Sequence, residues 1–349
     1  MDPKEFAQRY QAGQRDFVGS NLAGADLSRA NLYGVNLLEA DLGRANLHGT
    51  ALSGVSLVKA NLGGANLSGA YLFGTNLQGA DLRGAVLNQA NLSKANLTAA
   101  LLTRAHLTGA NLAGAFLFGA NLQGANLRRA DLQGAGMGGA MLAEASLQNA
   151  RLDWAGLGGA NLTRANLNGA RLRRANLYGA NLTEARLWKA DLTEAGLDRV
   201  CLFKADLTNA LLEGTILLEA NLNGAGLERA RLAGAKLDGA SLDDARLTGA
   251  VLSQASLVGA RLKLAHLVEA NLAEADLSGA DLRLANLSGA DLRGADLSGA
   301  LLQEADLTGA DLTGATLKGA ALDGARFEEA TMPDGRKKGW FNGIGRFTR

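Results

Sequence analysis

The sequence predicts an all-β protein, a parallel β-helix in which short sides of chain wind around an interior filled by leucine. Three observations carry this reading. Leucine recurs every five residues without a slip, alanine stands two residues before it, and Asn or Asp with Gly occupies the positions between these inward pairs.

The leucine register comes first. From Phe17 to Met332 there are 64 consecutive pentads, and leucine is central in 60 of them, with Phe17, Met137, Phe327 and Met332 as the exceptions. A five-residue period matches neither the 3.6 of an amphipathic helix nor the 2 of a half-buried strand. Alanine precedes by two in 56 of 64 pentads, and residues two apart in extended chain share a face. Its replacements are mostly small or β-branched: Ser20, Val35, Thr50, Val55, Thr75, Val200 and Thr215, with Arg15 at the entrance. The remaining three residues must turn the chain, and Asn, Asp and Gly tolerate corner geometry that others resist.

The number of sides per turn follows from an outward property. Of twelve large apolar residues placed just after the central position, seven fall in one column when the chain is folded at 20: Val18, Leu38, Val58, Phe118, Tyr178, Leu218 and Val258. Folding at 15 scatters them, so a four-sided turn is expected. The repeat A-D/N-L-x-x, as in Ala25-Asp26-Leu27-Ser28-Arg29, resembles the pentapeptide-repeat family over residues 15–334. That resemblance implies a right-handed quadrilateral parallel β-helix, a pentapeptide-repeat solenoid, whose 64 pentads make about 16 coils. One leucine contributes about 1.5–3 kcal/mol on burial, less than the cost of ordering five residues. Stability must therefore be shared between stacked turns.

Both ends need covering, because an open β-helix exposes strand edges. Residues 1–14 are expected to form an N-terminal helical cap, with Pro3 at the start of the helix and Phe6 and Tyr10 facing the first turn, where Phe17 replaces leucine. At the other end Phe327 and Met332 enlarge the interior, and Pro333-Asp334-Gly335 leads the chain out. Residues 335–349 form a basic and aromatic tail. Its Trp340, Phe341 and Phe347, among five basic residues, suit either a cap over the last turn or contact with an acidic groove or an anionic membrane surface.

Little in the chain suggests chemistry. The interior leaves no room for a substrate, and His48, His106 and His266 are too far apart to share a metal or assist a nucleophile. Cys201 reads as a surface thiol, no C-x-x-C spacing occurs, and no phosphate-cradling loop is present. No catalytic residue, cofactor or metal is expected. Stacking at 20 places Asp276 with Asp296, Asp291 with Asp311, Asp131 with Arg151 and Arg171 with Asp191, which read as occupants of the corner position or as exposed ion pairs. Arg164, Arg171, Arg173, Arg174 and Arg186 are diluted by Glu184, Asp191, Glu194 and Asp198, so nucleic acid is not the favoured partner.

Net charge is +1, with 19 basic and 14 acidic residues in 1–200 and 10 and 16 in 201–320. The expected role is a non-catalytic scaffold that binds a protein through a face or an end, the column of seven residues being the candidate face. Two alternatives stand beside it. One is the DNA mimicry by which some members of the resembling family bind type II topoisomerases; that activity goes with an acidic surface and a dimer formed through the C-terminal end, neither marked here. The other is peripheral membrane attachment through the tail. A homodimer stands as a further option for the partner. Lacking an apolar leader or an apolar run of about 18 residues, and with one cysteine, the chain is expected in the cytoplasm.

Overall fold

In the computed structural model, which describes residues 3–337, each pentad forms one side of a turn and the chain pairs with itself 20 residues later. Four pentads thus complete a turn. The chain divides into two compact units, Met1–Arg186 and Leu187–Arg349. In the first, parallel bridges run in register from Asp16 with Asn36 to Asn166 with Arg186; in the second, from Asp191 with Leu211 to Asp311 with Thr331. The fold is a β-helix solenoid, with the register that the column of outward apolar residues implies.

The ladder explains the pentad position by position. Within each unit the amides of the central leucines donate to the next turn, as Leu22 does to Asp41 at 2.7 Å, until the turns run out, and the amide before the leucine donates back, as Asp41 does to Ser20 at 2.9 Å. The alanine amide closes the corner on the leucine carbonyl of its own pentad, Ala25 to Leu22 at 3.0 Å. Most backbone polar groups are thereby paired with one another, which lets the interior be almost entirely apolar. Leucine and alanine in the middle of either unit are 0–1% exposed. Where threonine replaces alanine, its hydroxyl donates to a carbonyl: Thr50 to Leu27 (2.8 Å), Thr75 to Leu52 (2.7 Å) and Thr215 to Leu212 (2.7 Å).

Two further rules govern the corners. The side-chain oxygen of Asn or Asp accepts the amide two residues on, as Asn21 does from Ala23 at 3.1 Å, so these residues are chosen for an acceptor at a fixed reach. The last pentad residue has positive φ even where it is not glycine, for example Arg29 at 57° and Glu39 at 56°. Such a conformation is disfavoured for residues with a Cβ, yet the ladder on both sides imposes it. The stem of a long side chain there crosses the same corner of the next turn: a Cβ on Gly49 would lie 3.6 Å from Cγ of Arg29.

The helix α1 (Pro3–Gln11) covers the first turn. Pro3 suits its opening, where an amide would be unpaired, and Glu5 and Arg9 pair at 2.9 Å. Phe6 is 2% exposed, with its ring 4.5 Å from Phe17 and 6.4 Å from Tyr10, whose ring carries the Arg15 guanidinium at 4.0 Å. Phe327 and Met332 are buried at the other end, and Gly335 donates to the Met332 carbonyl at 2.8 Å to turn the chain outward.

Candidate functional site

The column of large apolar residues becomes a physical face in the first unit, where Val18, Leu38, Val58, Phe118 and Tyr178 share one side through an unbroken run of parallel bridges. Val18, Phe118 and Tyr178 are 47%, 48% and 50% exposed, whereas Leu38 and Val58 are half-buried. Leu218 and Val258 share one side of the second unit, two turns apart; Val258 is exposed and Leu218 half-buried.

One stretch of the first unit's face differs from all its other sides. From Asn76 to Gly179, six successive turns contribute Asn, Gln, Thr, Ala, Phe, Tyr and Gly to it but no ionisable charged group apart from the Tyr178 phenol, while the other three sides of the same turns carry Asp, Glu, Arg or Lys. Phe116, exposed and missed by a reading restricted to residues after the central position, stands beside Phe118 with ring centroids 6.3 Å apart and planes 25° apart. Below them Gly136, Gly138, Gly156 and Gly158 leave the strand backbone bare. The Phe118 ring lies down onto that floor: a Cβ on Gly136 would come within 2.6 Å of it. Gly156 has open space above it, and Tyr178 follows, three register steps from Phe118, about 14 Å at the usual strand spacing. Flat, uncharged and aromatic, this surface suits a macromolecular contact.

Many of the charged side chains are paired with one another. Arg83, Arg283 and Arg293 each grip the aspartate two residues earlier, with closest contacts of 2.5, 2.6 and 2.7 Å. These hydrogen bonds hold the carboxyls of Asp81, Asp281 and Asp291 below the usual range and push the guanidinium pKa values up. Asp131 pairs with Arg151 at 3.3 Å, as expected. Other pairs run 18 residues apart, a diagonal not anticipated from stacking at 20: Asp153 with Arg171 (3.0 Å), Glu213 with Arg231 (2.5 Å), Glu228 with Arg246 (2.6 Å), and Asp243 with Arg261. Asp276 and Asp296 do stack, but each carboxylate accepts the amide of a serine two residues on, and Asp291 is held by Arg293.

Catalytic groupings are sparse. Among the described residues no three His, Cys, Asp or Glu side chains are placed to hold a metal. Cys201 is half-buried, with the Asn221 amide 3.9 Å from its sulfur. The recess at Arg83, Arg104, Gln123 and Glu144 is an open notch at a corner. Trp340, Phe341 and Phe347 lie outside the described residues.

A further set of positioning residues had a legible but unread signal. In several pentads where the position before leucine lacks Asn or Asp, the acceptor comes from the preceding turn. Asn88 accepts the amide of Thr108, Asp153 that of Arg173, Asn223 that of Asp243, and Asp238 that of Val258. Asp153, which also pairs with Arg171, is only 5% exposed.

Comparison with known proteins places these features in a family. The family model for pentapeptide repeats (8 copies) matches in successive stretches from residues 16–49 to 290–328. No curated protein sequence matches the chain. The solved structure of HetL, a pentapeptide repeat protein involved in heterocyst differentiation regulation in Nostoc sp. strain PCC 7120, is 27% identical, covering 97% of this chain and 100% of its own, with a TM-score of 0.24. QnrB1, a plasmid-mediated fluoroquinolone resistance protein, is 18% identical over 49% of this chain and 90% of its own, with a TM-score of 0.25. A pentapeptide repeat protein of the Arabidopsis thaliana thylakoid lumen is 30% identical over 34% and 70%, with a TM-score of 0.18.

Proposed function

Since the chain belongs to the pentapeptide-repeat family, we propose that it is a non-catalytic scaffold that binds a protein partner through one side of its solenoid. The observation that carries this is the six-turn uncharged stretch of the first unit, with Phe116, Phe118 and Tyr178 exposed around a glycine floor. Exposed aromatic rings on a rigid support lose little conformational freedom on binding. In the first unit Val18, Leu38 and Val58 extend the candidate surface, while Leu218 and Val258 make a separate candidate patch on the second unit. On this reading residues 1–14 are the cap, 15–334 a right-handed coil of about 16 turns and 335–349 the tail. A cytoplasmic site of action is part of the proposal; no helix among the described residues is long and apolar enough to cross a membrane.

DNA mimicry is less well supported, because it needs an acidic strip and aspartates such as Asp281 and Asp291 are matched by arginines. The test compares affinity capture from the native cell by the full chain, by Phe118→Asp/Tyr178→Asp, and by a control with Thr103→Asp on another side. A partner held by the wild type and control but lost from the double variant, all three melting alike, is the expected result. A partner indifferent to Phe118 and Tyr178 would remove this face from the function.

A further inference from the structure

The uncharged face of the first unit contains an opening of definite size. The Phe118 ring leans one turn onward and covers Gly136 and Gly138, where added Cβ atoms would stand 2.6 and 3.4 Å from it. One turn further the floor is bare: a Cβ on Gly156 would meet nothing within 4 Å, and one on Gly158 only the Tyr178 carbonyl at 3.8 Å. Asn176 and Tyr178, both exposed, bound the opening on the following turn. From the turn covered by the Phe118 ring to the turn of Tyr178 is two register steps, about 9.5 Å at the usual strand spacing.

The two long rims of this slot are unlike. One corner consists of Gly139, Gly159 and Gly179 and is low. At the other, Trp154 stands two residues before Gly156, 61% exposed, with the Arg174 guanidinium 4.8 Å from its ring centre. Its φ is 63°, a conformation that favours glycine, and among the described residues at such corners it alone is aromatic. A bulky ring held there and left exposed gains little from burial, which points to a use outside the fold. Beyond Trp154 the adjoining side carries Arg151, Arg171, Arg173 and Arg174 against Asp131 and Asp153, a surplus of two positive charges beside a face that has none.

These dimensions and charges select an occupant. A chain in the polyproline II conformation has three residues per turn and rises about 3.1 Å per residue, so residues three apart are separated by about 9.3 Å. Prolines at that spacing match the two aromatic turns, and a segment already in this conformation has little freedom left to lose on binding. The floor glycines offer a sugar no side-chain hydrogen bonds, and single-stranded nucleic acid wants cations along its whole path, which the uncharged turns do not supply.

Resting on the scaffold reading above, we propose that the partner presents a proline-rich segment in the polyproline II conformation. It lies along the slot with prolines three apart against Phe118 and Tyr178, and one of the two residues between them is acidic and faces the arginine side. Trp154 forms the wall between the two recognition elements.

The test reads an array of labelled synthetic Pro-x-x-Pro-x-x-Pro peptides, with x neutral, acidic or basic, against the full chain by fluorescence anisotropy. The acidic members should bind best, and moving the prolines four apart should weaken them by about tenfold or more, as should Gly156→Phe in the protein. That substitution fills the slot and should leave the melting midpoint unchanged, because Phe116 occupies the same register position two turns earlier and a Cβ on Gly156 meets nothing. Thr163→Phe, on another side, should bind as the wild type does. Binding by none of the peptides, or equal binding to the Gly156→Phe variant, would overturn the proposal. So would tighter binding of a labelled oligothymidylate, which assigns the slot to single-stranded nucleic acid. If the peptides fail while a cellular partner is still lost from Phe118→Asp/Tyr178→Asp, the proline-rich segment is refuted and the scaffold reading stands.

Discussion

Replacing Asn88 by alanine isolates the cross-turn acceptor from everything else in the fold. In most pentads the amide two residues after Asn or Asp is bound by that residue's own side chain, but the pentad of Leu107 has His106 before the leucine, and Asn88 of the preceding turn accepts the Thr108 amide at 3.0 Å instead. Both groups are neutral and half-buried, so the loss lies near the middle of the usual range for a single hydrogen bond, about 1 kcal/mol. That corresponds to about a fivefold rise in the local opening equilibrium. Amide exchange at Thr108 should accelerate by that factor in N88A while exchange in the second unit stays unchanged. His106→Asn supplies the usual local oxygen, so the double variant N88A/H106N should return to the wild-type rate. The reasoning fails if N88A leaves Thr108 exchange unaltered, or if H106N does nothing to reverse it.

Three other outcomes follow from the same structure. Ala165→Leu should lower the melting midpoint much more than Thr163→Leu, because Ala165 is 0% exposed and overpacking there costs about 1–3 kcal/mol, whereas Thr163 points outward; equal midpoints would contradict the inward placement. The segment Gly134–Met141 should exchange its amides faster than residues 161–170, since glycines at 136 and 138 offer no side-chain acceptor and add backbone freedom; equal protection in hydrogen-exchange mass spectrometry would refute this. Because arginine contacts lower the folded-state pKa of Asp281 and Asp291, their contribution is present above the ordinary carboxylate pKa of about 4 and is lost as pH falls below it. R283A/R293A should therefore differ most from the wild type at neutral pH and converge with it in acid, as read from unfolding midpoints against pH.

The interior was readable because it obeys a one-dimensional rule: one leucine and one alanine per pentad leave no other way to bury both. Phe6 and Phe17 were legible for a similar reason, being the large residues where the pattern starts. The exterior was readable only where a single side accumulated one property, as with Phe118 and Tyr178. Phe116 escaped because it precedes the central leucine. The roles of Asn88 and Asp153 escaped because their partners lie a turn away and become visible only when the missing Asn or Asp at positions 106 and 171 is noticed first. Arg171 illustrates the limit of vertical stacking: it reaches Asp153 on a diagonal, since a long side chain leans along its strand.

The two periodicities in this molecule have unequal tolerance for error. The interior repeats every five residues and the exterior every 20. Losing one pentad between Phe118 and Tyr178 would leave each leucine above a leucine and each alanine above an alanine, so the chain would still fold. Every outward residue beyond the deletion would nevertheless rotate by a quarter turn, carrying Tyr178 to a neighbouring side. Loss of a pentad is therefore nearly silent to stability and ruinous to the proposed binding face, whereas loss of four shortens that face and keeps its alignment. Length variation compatible with function should come in steps of whole turns, and a melting curve alone would never reveal the difference.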